Sequence, residues 1–172
     1  MSDSGEPHAL VRLARKAIAS HLSGSPLPHG ETPGDPGEAA GAFVSLKKAG
    51  QLRGCIGTIQ PVRPTLIQEI VDNAVSAATR DPRFQPVVLE ELDEITISVD
   101  VLGTPEPVSG PEELDPSRFG VIVKCGQRKG VLLPDLPGIT TPEEQVRIAR
   151  QKAGIGAEEA VELQRFEVVR YT

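Results

Sequence analysis

The sequence predicts an α+β fold, a largely antiparallel sheet of about six strands with three helices. Two patterns carry that expectation. Apolar residues recur at helical spacing in separate segments, and period-two alternation marks strands between them. The strands also come as hairpins joined by short turns, without the strand–helix–strand units of a parallel sheet. At 172 residues the chain has the length of a single domain, 1–172.

Residues 1–5 read as a frayed tail. Leu10, Val11, Ala14, Ala17, Ile18 and Leu22 form one apolar face of a helix from Glu6 to Leu22, stopped by Gly24. His8 and His21 fall on its flank or near its ends. The stretch 23–41, SGSPLPHGETPGDPGEAAG, is a loop dense in proline and glycine, and a loop of that length is either mobile or functional. A hairpin follows: strand 42–48 turns through Lys48-Ala49-Gly50-Gln51 into strand 52–58. Strict alternation sets Leu52, Gly54 and Ile56 on one face, and Arg53, Cys55 and Gly57 on the other.

A second helix, about 65–80, carries Leu66, Ile67, Ile70, Val71, Ala74, Ala77 and Ala78 as its stripe, with Pro64 suited to its first turn. Pro82 forces Asp81 out of helical geometry and ends it. EELDE (90–94) reads as a solvated acidic turn, and ITISVDVL (95–102) as a half-buried strand. GVIVKC and VLLP flank GQRKG in a second hairpin, with Cys125 ending its first strand. Thr141 and Glu144 form a capping box, Pro142 suits the first helical position and Gly154 stops the third helix. RFEVVRY makes the last strand. No internal repeat is visible.

With no Trp, one Tyr and four Phe, the core must be aliphatic. A net charge of −6 and scattered Lys and Arg argue against nucleic acid and anionic membrane as partners. The densest basic pairs, Lys47-Lys48 and Arg128-Lys129, fall at hairpin turns. No apolar run follows a basic start and none reaches spanning length, so a cytoplasmic chain with no membrane association and two free thiols is expected. HExxH, a histidine cage and CxxC are absent, so neither metal nor cofactor is expected. His8, His21 and His29 all lie near the start, and a Cys–His dyad would have to recruit one across the fold.

The densest chemistry lies in LRGCIG (52–57) and DPRF (81–84). Arg53 on the same strand face as Cys55 would favour thiolate and lower the thiol pKa. Gly54 and Gly57 would admit a ligand or partner backbone. Asp81 would orient Arg53 or Arg83, giving a thiol, two guanidiniums and a carboxylate suited to an anionic small molecule. The competing reading is packing. Free cysteine is among the most buried residues, and both glycines would let the 65–80 helix close on the sheet. Cys125 reads as structural.

GAFVSLKKAGQLRGCIGTIQP, DPRFQPV, ITISVDVL and VLLP, in this order, closely resemble the AMMECR domain family, called protein A of the AmmeMemoRadiSam system in prokaryotes. The match is strongest from Gly41 to Pro134. The resemblance implies a larger and a smaller subdomain with a cleft between them. It also implies association with a Memo-type protein, a relative of extradiol dioxygenases, and with a radical-SAM enzyme. Two departures stand out: Thr79-Arg80 replaces an aromatic residue common before DPRF, and 135–151 lacks a Trp-containing segment and a cysteine common before KAG. Two functions remain open. One is an accessory or binding protein using a cleft around LRGCIG, with Arg53, Gly54, Gly57, Asp81 and Arg83 at the contact. The other is a cysteine-dependent enzyme acting on a small anionic substrate through Cys55.

Overall fold

The structure, a computed structural model, describes residues 5–29 and 39–172. The expected tail, save Gly5, and residues 30–38 of the long loop lie outside them. Among the described residues three α-helices, two short 3-10 helices and seven strands make the expected α+β fold, and each strand has an antiparallel partner. The chain divides into two compact units, the first running to Val101 and adding Val169–Thr172, the second Leu102–Val168. Among the described residues no helix is long and apolar enough to cross a membrane.

The first unit contains α1 (Ala9–Ser23), β1 (Ala42–Lys48), β2 (Gln51–Thr58), α2 (Leu66–Thr79), a 3-10 helix (Leu89–Glu94) and β3 (Ile95–Leu102). His8 caps α1, its Nδ1 accepting from Leu10 N–H at 3.2 Å, and Gly24 closes it in the left-handed conformation at φ 72°. Thr65 caps α2 through Gln68 N–H, so Pro64 stands before the helix rather than in its first turn. β1 pairs with both β2 and β3. Ala42, Val44, Leu46, Ile97 and Val99 turn one sheet face toward α1 and α2 and bury it with Ile18, Ile70 and Ala74. Each fully buried Val, Leu or Ile side chain there contributes about 1.5–3 kcal/mol.

The β1–β2 register holds the main departure from strict alternation. Leu46 faces Gly54 but Lys47 faces Leu52, so Arg53 is an extra, unpaired residue. A bulge of this kind turns the strand and re-aims a side chain. It carries Leu52 to the Cys55 side of β2, correcting the expectation that Leu52 shares a face with Gly54 and Ile56.

The second unit contains β4 (Glu106–Val108), a 3-10 turn at Pro111–Glu113, β5 (Phe119–Cys125), β6 (Arg128–Leu132), α3 (Pro142–Ala153) and β7 (Glu162–Tyr171), whose end belongs to the first unit. β7 pairs with β4 and β5, and β5 pairs with β6. α3 covers this sheet through Val146 and Ala149, against Val121, Val123 and Leu132. Gly130 makes that closeness attainable, since a Cβ there would fall inside 3.0 Å of the Ala149 carbonyl. One half of the expected capping box is present, Thr141 Oγ1 accepting from Glu144 N–H at 3.2 Å, while the Glu144 carboxylate pairs with Arg147. β4 escaped the sequence reading because three residues carry no period, and β7 begins earlier than RFEVVRY.

Candidate functional site

LRGCIG runs along β2, the edge strand of the sheet. An edge strand leaves backbone groups without a partner. Here DPRF supplies one. Cys55 N–H donates to Asp81 Oδ2 at 3.0 Å, and Asp81 Oδ1 accepts from Arg83 N–H at 3.1 Å and Nε at 3.0 Å. Arg83 Nη2 closes the pair on Oδ2 at 2.8 Å. The Asp81 side chain is 4% exposed and that of Arg83 57%. Arg83 above all, with the N–H groups of Cys55 and Arg83, holds the Asp81 carboxyl well below the usual carboxylate range against the opposing effect of burial.

Arg53, swung out by the bulge, goes elsewhere. Its Nε and Nη2 grip Glu91 at 2.9 and 3.2 Å, while Nη1 and Nη2 reach the Gln85 and Pro86 carbonyls at 2.8 and 3.4 Å. Both partners are largely buried, at 17% and 13% exposure. Glu91 is held below its ordinary value mainly by Arg53. So EELDE is not wholly a solvated turn: it forms the 3-10 helix and gives one carboxylate to the motif. Asp81 therefore orients Arg83, and Glu91 orients Arg53.

The face of this sheet opposite α1 and α2 carries three rows across β2, β1 and β3. They are Leu52–Lys47–Thr96, Cys55–Ser45–Ser98 and Gly57–Phe43–Asp100. Cys55 Sγ lies 3.2 Å from Ser45 Oγ. Burial pushes the Cys55 thiol up, opposed by the Ser45 hydrogen bond and the Arg83 charge, with Asp100 and Asp81 raising it further. The expected activation by Arg53 is thus corrected. The guanidinium acting on the thiol is Arg83, and desolvation outweighs it. Among the described residues no imidazole acts on the thiol, and His8 packs its ring against Tyr171.

Both motif glycines have packing reasons. A Cβ at Gly54 would fall inside 3.0 Å of the Ala77 carbonyl of α2, and one at Gly57 would strike the Phe43 ring. Cys125 lies at the β5–β6 turn, with Arg128 Nη2 at 3.4 Å from its Sγ. Among the described residues no cluster of three His, Cys, Asp or Glu is placed to hold a metal.

Several polar residues escaped the sequence reading. Glu69, 1% exposed, accepts from Thr58 Oγ1 at 2.6 Å and from Val62 and Arg63 N–H at 3.0 and 2.8 Å, tying the chain after β2 to α2. Asn73 donates to the Ala42 carbonyl at 2.9 Å and to Thr58 Oγ1 at 3.2 Å. Their spacing, four apart and interleaved with the apolar stripe, was the available signal. Asp100 is 1% exposed and paired with Arg170 at 2.7 and 3.1 Å.

Residues 11–172 match the AMMECR1 family model. A Thermotoga maritima protein is 58% identical over 134 residues, 77% of each chain. A Clostridium acetobutylicum protein is 44% identical over 174 residues, covering 99% of this chain but only 37% of its own length. The crystal structure of an uncharacterised Pyrococcus horikoshii protein, PH0010, superposes with a TM-score of 0.85 at 35% identity, over 94% of this chain and 88% of that one.

Proposed function

The chain belongs to the AMMECR1 family, and from that premise we propose that it is an accessory binding protein working with a Memo-type protein and a radical-SAM enzyme through the surface around LRGCIG. One observation carries this reading. The motif's charged groups are spent on each other, whereas apolar side chains beside them are open. Leu52, next to Arg53, is 41% exposed, and Val88 and Leu89, beside Glu91, are 51% and 46% exposed. A buried, bidentate ion pair fixing exposed apolar groups is suited to docking a protein surface. The Clostridium relative adds support, since its match to this chain is only 37% of a longer polypeptide and is covalently joined there to further sequence.

The second reading, cysteine-dependent chemistry on a small anionic substrate, draws on Arg83 and Ser45 beside the thiol. A raised thiol pKa, and carboxylates rather than an imidazole among the described groups acting on it, count against it. Isothermal titration of the purified chain with the Memo-type protein and the radical-SAM enzyme of the same genome tests the accessory reading. Binding to either that weakens at least roughly tenfold in Leu52→Asp or Val88→Asp is expected for hot-spot residues. No binding to either protein overturns it.

A further inference from the structure

The second unit contains an open groove of about 780 Å³, within the usual range for small-molecule sites. It forms where β4 leaves β7. Their ladder ends at Val108 opposite Leu163, and beyond it Ser109–Pro111 and Ala160–Glu162 line the groove together with Val146 and Arg150 of α3. The lining is mostly apolar, and Arg150 and Glu162 are its charged members.

Arg150 is the informative residue. Its Nη1 donates to the Gly156 carbonyl at 2.7 Å and the Glu159 carbonyl at 2.9 Å, which anchors the guanidinium. The neighbouring Glu159 carboxylate is committed to Arg128 and to Gly156 N–H. Among the described residues Nε and Nη2 of Arg150 make no hydrogen bond, although the Glu159 carboxylate lies within reach of the Arg150 charge. Those two donors form the fork that fits a carboxylate side-on. Elsewhere in this molecule the same pair holds a carboxylate: Arg53 on Glu91, Arg83 on Asp81 and Arg170 on Asp100. Glu162, exposed, repels a carboxylate from its own part of the lining and so gives the groove a polarity.

We propose that this groove binds a small amphipathic carboxylate, its head on the Nε/Nη2 fork of Arg150 and its apolar chain along Val108, Val161 and Leu163. Decanoate is the probe, titrated into the ¹⁵N-labelled full chain and read from amide shifts, with 1-decanol and acetyl-Val-Val-Leu bearing a free carboxylate as comparisons. Saturable shifts at Val108, Val161 and Leu163 with decanoate, absent with decanol, are expected. Arg150→Gln weakens binding roughly tenfold or more, as loss of a charge-assisted hydrogen bond predicts. Because Arg150 also anchors two carbonyls, Val161→Asp, which introduces a carboxylate into the groove, serves as the second variant and abolishes binding. Absence of saturable shifts, equal binding of decanol, binding of the peptide alone, or full affinity in both variants overturns the proposal.

Discussion

Asp81→Asn isolates the clasp between DPRF and the β2 edge. The amide keeps the shape of the carboxylate but puts an NH₂ where one oxygen stood. Cys55 N–H and Arg83 N–H bond to different oxygens of Asp81, so one of them must then face a donor. A hydrogen bond to a charged group contributes about 1.5–3 kcal/mol, and a buried donor left unmatched costs a similar amount. The Arg83 guanidinium is 57% exposed, and its share is discounted for solvent screening. The expected loss is about 2–4 kcal/mol in urea unfolding. At about 2–4 °C per kcal/mol for a chain of this length, Tm falls roughly 4–16 °C. The pH dependence follows from the depressed carboxyl of Asp81. Its stabilisation is fully present above the unfolded carboxyl value of about 3.9 and is lost as pH falls through the lower folded value. The stability gap between wild type and Asp81→Asn should therefore be largest near neutrality and shrink below about pH 4. Hydrogen exchange at the Cys55 amide should quicken in the variant. A gap under about 0.5 kcal/mol, or one that does not change with pH, would refute the clasp.

Two further outcomes follow from the same geometry. Gly54→Ala drives a Cβ into the Ala77 carbonyl and should cost about 1–3 kcal/mol, whereas Gly5→Ala, with nothing within 4 Å, should leave Tm unchanged; equal Tm values for both variants would remove the packing account of Gly54. Iodoacetamide labelling of the native protein, followed by mass spectrometry across pH, should show Cys55 reacting with a midpoint above the ordinary thiol value of about 8.5; fast labelling below that value would return the thiol to catalysis.

The sequence made the elements legible because their signals are local. Period, caps and turn residues located α1, α2, α3 and both hairpins to within a few residues, and Gly24, Thr141 and Gly154 act as their types predict. Asp81 and Arg83 were likewise placed with Cys55. What stayed hidden depends on partners distant in sequence. Glu69 in an apolar stripe looks like a solvated position until Thr58, Val62 and Arg63 are seen donating to it. Glu91 looks like one acid among several until Arg53 reaches it from thirty-eight residues away.

The bulge at Arg53 shows how one inserted residue changes the chemical reading of a motif. Under strict period-two alternation, Arg53 and Cys55 are neighbours on one face, and a guanidinium there would favour thiolate. The extra residue breaks that period. Arg53 leaves the face for Glu91 and two carbonyls, Leu52 joins the row system beside Cys55, and the thiol is left with Ser45 and the more distant charge of Arg83. Burial then governs the thiol. The same displacement shapes the surface that the proposed accessory role would use, because the Arg53–Glu91 ion pair fixes Arg53 between β2 and the 85–91 segment, with Leu52, Val88 and Leu89 open beside it. Thus the register shift that weakens the catalytic reading also builds the surface on which the accessory reading rests; labelling of Cys55 probes the first consequence, and the titration of Leu52→Asp and Val88→Asp the second.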